Sequence, residues 1–122
     1  MKIFTSYFAR MKKIPEDAVK ISIALSTPAS IAVDFKLPNF TPTWSILKEY
    51  KITGDTQKYV ERFYNEVLFG QDPVCAYRAL ADISGGRDIY LLCYEKPTDF
   101  CHRHIIADWF KQAGFTVEEF IP

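Results

Sequence analysis

Asp88-Ile89-Tyr90-Leu91-Leu92-Cys93 is a continuous apolar run of strand length, and it decides the fold. A run of this kind, apolar at consecutive positions rather than alternating, belongs to a central parallel strand covered on both faces. Ser84-Gly85-Gly86 stops a helix just before it, and a second helix follows it over roughly Phe100–Ala113, with Ile105, Ile106, Trp109 and Phe110 directed inward and Gly114 as its end. Beyond that helix, Thr116–Ile121 reads as an edge strand, so strand, helix and strand form a right-handed βαβ unit.

Working outward, Lys2–Phe8 reads as a first strand, followed by a basic loop carrying Arg10, Lys12 and Lys13 and closed by Pro15. Val19–Leu25 alternates as a second strand until Ser26-Thr27-Pro28 breaks it. From Thr27 to Pro42 the prolines forbid a long regular element; the stretch is a functional loop or a surface crossover pinned by Phe35, Leu37 and Phe40. Thr43 caps a short helix through Tyr50. Asp55 caps the next, whose Tyr59, Phe63, Val67 and Leu68 share one face. Asp72-Pro73 opens a third helix with Val74, Cys75, Tyr77, Leu80 and Ile83 inward, which makes Cys75 a core residue. The expected fold is a small single-domain α/β sandwich over residues 1–122, Rossmann-like, with a mostly parallel central sheet and helices on both faces.

The bulk numbers agree with one packed globule. The chain has 122 residues, 48% hydrophobic and 16% aromatic, which is enough to bury a core without staples. Fifteen basic and fifteen acidic residues cancel, so no global field draws nucleic acid or anionic lipid, and any anion site is local. No apolar run approaches the ~20 residues that span a bilayer. Three cysteines, an odd count, favour a reducing compartment, and a cytoplasmic location is expected. The aromatic content is compatible with a homodimer.

Chemistry concentrates at Cys93–Arg103, a strand–loop–helix corner at the carboxyl end of the central strand, where α/β sheets bind ligands. Thr98 or Asp99 would cap the helix, putting Cys101, His102 and Arg103 in or beside its first turn. Arg103 would hold a phosphate or carboxylate with its fork, aided by the helix N-terminus. Cys101 would be a low-pKa nucleophile or redox thiol, favoured by the helix start, His102 and Arg103. His102 and Glu95 would orient or exchange protons. Cys93, Lys96, Tyr7, Ser6 and Ser26 complete the expected ligand contacts, while His104 faces outward. A Cys93–Cys101 disulfide is conceivable across the loop and would be transient in a reducing cytosol. Zinc is disfavoured, because these cysteines are separated by seven residues and no second cluster exists. No glycine-rich phosphate loop is present, and no cofactor is indicated.

Leu91-Leu92-Cys93-Tyr94-Glu95-Lys96-Pro97 followed by Cys101-His102-Arg103-His104 resembles the hallmark of the domain-of-unknown-function family 488. Thr5-Ser6-Tyr7-Phe8-Ala9, Ile21-Ser22-Ile23-Ala24, Tyr59 to Leu68, Ser84-Gly85-Gly86-Arg87-Asp88 and Ala107-Asp108-Trp109-Phe110 are similar to one branch of it, so the resemblance covers nearly the whole chain. It implies an α/β sandwich around a mostly parallel sheet with the Cys…Cys-His-Arg loop as signature, and it supplies no activity. Many members carry Asp-x-Arg at the end of the second strand, where this chain has Leu25-Ser26-Thr27-Pro28.

The leading expectation is a binder of an anionic, nucleotide-like small molecule at the corner. Two others stand beside it: a thiol-dependent enzyme or redox sensor using Cys101 with Cys93, and an interaction module in which the Cys-His-Arg corner is a structural clasp, Arg103 pairing with Glu95 or Asp99.

Overall fold

The central strand is where its apolar run puts it. In the computed structural model, which describes residues 1–94 and 100–122, five parallel strands form one sheet in the order β3-β2-β4-β1-β5. These are β1 (Ile3–Tyr7), β2 (Val19–Ser22), β3 (Phe35–Lys36), β4 (Ile89–Cys93) and β5 (Val117–Glu119). Every residue of β4 is buried, as a strand with neighbours on both edges and cover on both faces requires.

Four α-helices cover one face: α1 (Trp44–Thr53), α2 (Thr56–Arg62), α3 (Pro73–Ser84) and α4 (His102–Gln112). Ile46, Tyr59, Leu80 and Phe110, one from each helix, share a core cluster with Ile3, Ile21, Ile89 and Leu91. The opposite face carries Tyr90 and Leu92, covered by Phe8 and Ile14 of the β1–β2 connection, with Ile31, Val33 and Phe120 packed at its margin. The fold is therefore the expected α/β, Rossmann-like sandwich, with an all-parallel sheet. Among the described residues no helix is long and apolar enough to cross a membrane.

Local chemistry sets the helix ends. Thr43, Asp55 and Asp72 each accept a backbone N–H from the first turn of their helix, and Gly54 and Gly85 terminate α1 and α3 at φ 65° and 63°. After Arg62 the α2 helix widens into a π-helical turn, Phe63–Val67, which sets Phe63 against His102 with ring centroids 5.7 Å apart.

Several local expectations are corrected. Phe8–Lys13 is a 3-10 helix rather than a loop, and β2 ends at Ser22. The irregular stretch contains the two-residue β3, whose Phe35 is exposed and pins nothing. On α3 the buried stripe runs through Ala76, Tyr77, Leu80 and Ser84, so Val74, Cys75 and Ile83 lie outward and Cys75 is an exposed free thiol. β5 is the expected edge strand; it pairs with β1, so the β4–α4–β5 crossover passes over β1. The α4 N-cap position is taken by Cys101; Glu95, Lys96, Thr98 and Asp99 lie outside the described residues.

The burial pattern makes two contrasting mutations informative. Leu91→Ala removes a fully buried side chain between covered faces and should cost about 2–5 kcal/mol in urea unfolding. Cys75→Ser should stay within about 0.5 kcal/mol of the parent, because the thiol is already in water.

Candidate functional site

β1 and β4 run side by side with Tyr7 opposite Cys93, and the chain re-enters at Cys101 to start α4 across their carboxyl ends. Cys93 and Cys101 are 1% and 3% exposed and form a disulfide pair, with their Cα atoms 7.7 Å apart.

Arg103 is fully buried. Its Nε and Nη2 donate to the two carboxylate oxygens of Glu119 at 3.1 and 3.2 Å, and its Nη1 lies 2.8 Å from Cys93 Sγ. Thr5 Oγ1 donates to Glu119 Oε1 at 2.7 Å, and the Tyr7 ring lies under the guanidinium, 5.7 Å from its Cζ. The fork that the sequence offered to an exogenous anion is thus closed on a carboxylate of β5. A bidentate ion pair is the arrangement that makes a buried guanidinium tolerable.

His102 goes the other way. Its Nε2 donates to the Ile23 carbonyl, just past β2, at 2.6 Å; a carbonyl only accepts, so Nε2 carries the proton. Its pKa is lowered to about 4, first by burial and then by the positive Arg103 and His104 nearby, against the opposing Ile23 bond. The neutral ring therefore turns the lone pair of Nδ1 toward Cys101 Sγ at 3.7 Å. His104 is half-buried rather than outward, and burial, then Arg103, lower its pKa as well.

The other expected residues divide. Tyr7 is on the same sheet face as the thiols. Ser6 is opposite Leu92 on the other face, fully buried, its Oγ without a hydrogen-bond partner among the described residues. Ser26 lines, at an exposed position, a cavity of about 260 Å³ whose base holds Cys93, Cys101 and His102. Its wall is aromatic: Tyr50, Tyr59 and Phe100 pack on one another with centroids 4.9–5.5 Å apart. Glu95 and Lys96 fall outside the described residues. Among the described residues no group of three or more His, Cys, Asp or Glu side chains could hold a metal ion.

Sequence reasoning missed Glu119, Thr5 and the aromatic wall. The signal for Glu119 was its parity: it follows Val117 by two, so it shares that residue's inward face in β5.

Removing either anchor of α4 has a defined cost. Glu119→Ala leaves the buried Arg103 guanidinium without its carboxylate and should destabilise by about 3–5 kcal/mol in urea unfolding. For His102 the folded pKa is below the unfolded one, so its stabilisation is present above pH 6.5 and is lost as the pH falls toward 4. Between pH 7 and 4.5 the parent should lose about 2 kcal/mol more than His102→Gln, measured as the difference between their unfolding curves.

Compared with known proteins, residues 5–114 match the family described as DUF488-N3a, the active DUF488-N3 subclade. No curated protein and no solved structure matches. With its Cys93…Cys101-His102-Arg103 corner at the carboxyl edge of a parallel sheet, the chain belongs to the DUF488 family.

Proposed function

We propose that the chain is a thiol-dependent enzyme in which Cys93 is the nucleophile and Cys101 the partner that closes a disulfide with it. The observation that carries this reading is the 2.8 Å approach of Arg103 Nη1 to Cys93 Sγ at the base of a cavity. A guanidinium at that distance favours the thiolate over the thiol once the pair is reduced. Cys101 has weaker support, because His102 is neutral and Arg103 faces the other sulfur. The description of the matching subclade as active also supports an enzyme.

In the reduced state the Cys93 thiolate attacks an electrophilic atom of a ligand in the cavity. A carbon–sulfur bond forms, and the leaving group departs with its bonding pair. A second nucleophile, water or an acceptor molecule, displaces the sulfur and restores the thiolate, so no net oxidation occurs. Thiol–disulfide exchange with an external disulfide, which takes up the two electrons and two protons and leaves as two thiols, closes Cys93–Cys101, removes the nucleophile and gives the resting form. The clasp reading has a specific observation too, since Arg103 pairs with a carboxylate of the fold itself. That pairing accounts for Arg103 and leaves both sulfurs at the cavity unexplained.

Two variants separate the thiols. In Cys75→Ser/Cys101→Ser protein, ultraviolet thiolate absorbance should titrate about one unit below the ordinary ~8.5, reporting Cys93 alone. Cys101, alone in Cys75→Ser/Cys93→Ser protein, should titrate higher. Equal midpoints near ~8.5 would favour the structural clasp.

A further inference from the structure

The thiols are at the base of an inner cavity of about 260 Å³, and that cavity is not closed. It shares Ala24, Leu25, Ser26 and Pro42 with an outer recess of about 600 Å³ that runs along the carboxyl ends of β2 and β3. The two spaces differ in chemistry. The inner one is walled by the packed rings of Tyr50, Tyr59 and Phe100. The outer one is lined by hydroxyls, Thr27, Thr41 and Thr43 among them, and by Lys36. Lys51 stands at the inner cavity with its Nζ 5.4 Å from the centroid of the Trp44 ring. None of the described residues lining either space is acidic. In a chain of zero net charge this cleft therefore carries two cations that no carboxylate among the described lining residues offsets.

Resting on the thiol reading of the same site, we propose that its substrate is a two-part molecule: a planar ring that stacks in the inner cavity beside the sulfurs, joined to an anionic group that reaches toward the outer recess and is held by Lys51 of the inner cavity and Lys36 of the recess. Flat rings suit aromatic walls because edge-to-face and stacked contacts add to the area buried. The anion is placed by lysines, point charges on flexible stems, because Arg103 is committed to Glu119. The size of the joined space falls among small-molecule sites, roughly 300–1,000 Å³. Ser26, where the spaces meet, would border the link between ring and anion. A nucleoside monophosphate has both parts, and its halves can be offered separately.

The test is equilibrium binding to the reduced, full-length protein, followed by amide chemical shifts, with adenosine monophosphate, adenosine and ribose 5-phosphate as probes. The monophosphate should saturate and perturb residues of both spaces, with each half binding at least tenfold more weakly. Lys36→Gln/Lys51→Gln, two exposed substitutions that leave the core untouched, should weaken the monophosphate at least tenfold and leave adenosine unchanged. Three results would overturn the proposal: no saturation at about 10 mM monophosphate, equal affinity for monophosphate and adenosine, or a double variant that binds like the parent. Binding needs no thiol chemistry, so an ordinary Cys93 titration would sink the nucleophile and leave this result standing, and the converse holds.

Discussion

A guanidinium with no solvent contact is the constraint on which the carboxyl edge of this sheet depends. Burying Arg103 is tolerable only if its donors meet acceptors, and among the described residues two of those acceptors come from different strands: Glu119 on β5 and Cys93 on β4. β1 lies between those strands, and it contributes Thr5 to the carboxylate and Tyr7 to the guanidinium face. One side chain thus ties the first turn of α4 to three strands. The crossover from β4 to β5 over β1 is what puts the carboxylate within reach, since a β5 beside β4 would leave Thr5 and Tyr7 outside the junction.

The neighbouring residue divides the load. His102, one position earlier, points to the far side and donates to the Ile23 carbonyl beyond β2. Successive residues at a helix start diverge by about 100°, so a His-Arg pair can reach toward both halves of a sheet while the residue before them, Cys101, stays over the middle strand. Cys93 ends that middle strand. The Cys…Cys-His-Arg pattern therefore has a mechanical reading: two anchors on either side and two sulfurs brought together between them. The π-helical turn after α2 adds Phe63 against the His102 ring, so burial on that side keeps the imidazole neutral.

Much of this was legible in the sequence because it is local. The apolar run through Cys93 announced a central strand, and Thr43, Asp55 and Asp72 announced helix starts, since a cap needs only a side-chain oxygen two or three residues from an unpaired N–H. The face of α3 was not legible: Val74, Cys75, Ala76 and Tyr77 are consecutive and apolar, and only the sheet and the neighbouring Met1 and Phe115 decide which of them turn inward. β3 has two residues, too few for any periodicity. The Arg103–Glu119 pair was hidden for another reason. The loop acids Glu95 and Asp99 were nearer in sequence, and nothing local shows that a strand pairing with β1 brings a carboxylate from sixteen residues away.

The same ion pair sets how far the proposed thiolate can be favoured. An unpaired guanidinium beside Cys93 would drive the thiol to ionise at almost any physiological pH, whereas Glu119 already neutralises Arg103 through two hydrogen bonds. The field at the sulfur is the residue of that near-cancellation, and Thr5, by donating to Glu119 Oε1, leaves the guanidinium slightly less neutralised. In the disulfide state, among the described residues, one cation faces one anion. Reduction and ionisation add a second anion to the same cation, at the base of the cavity, where Cys93 is almost fully buried. A thiolate beside a guanidinium that is already paired is favoured less than one beside a free cation, which suits the proposed cycle of attack, displacement and return to a disulfide.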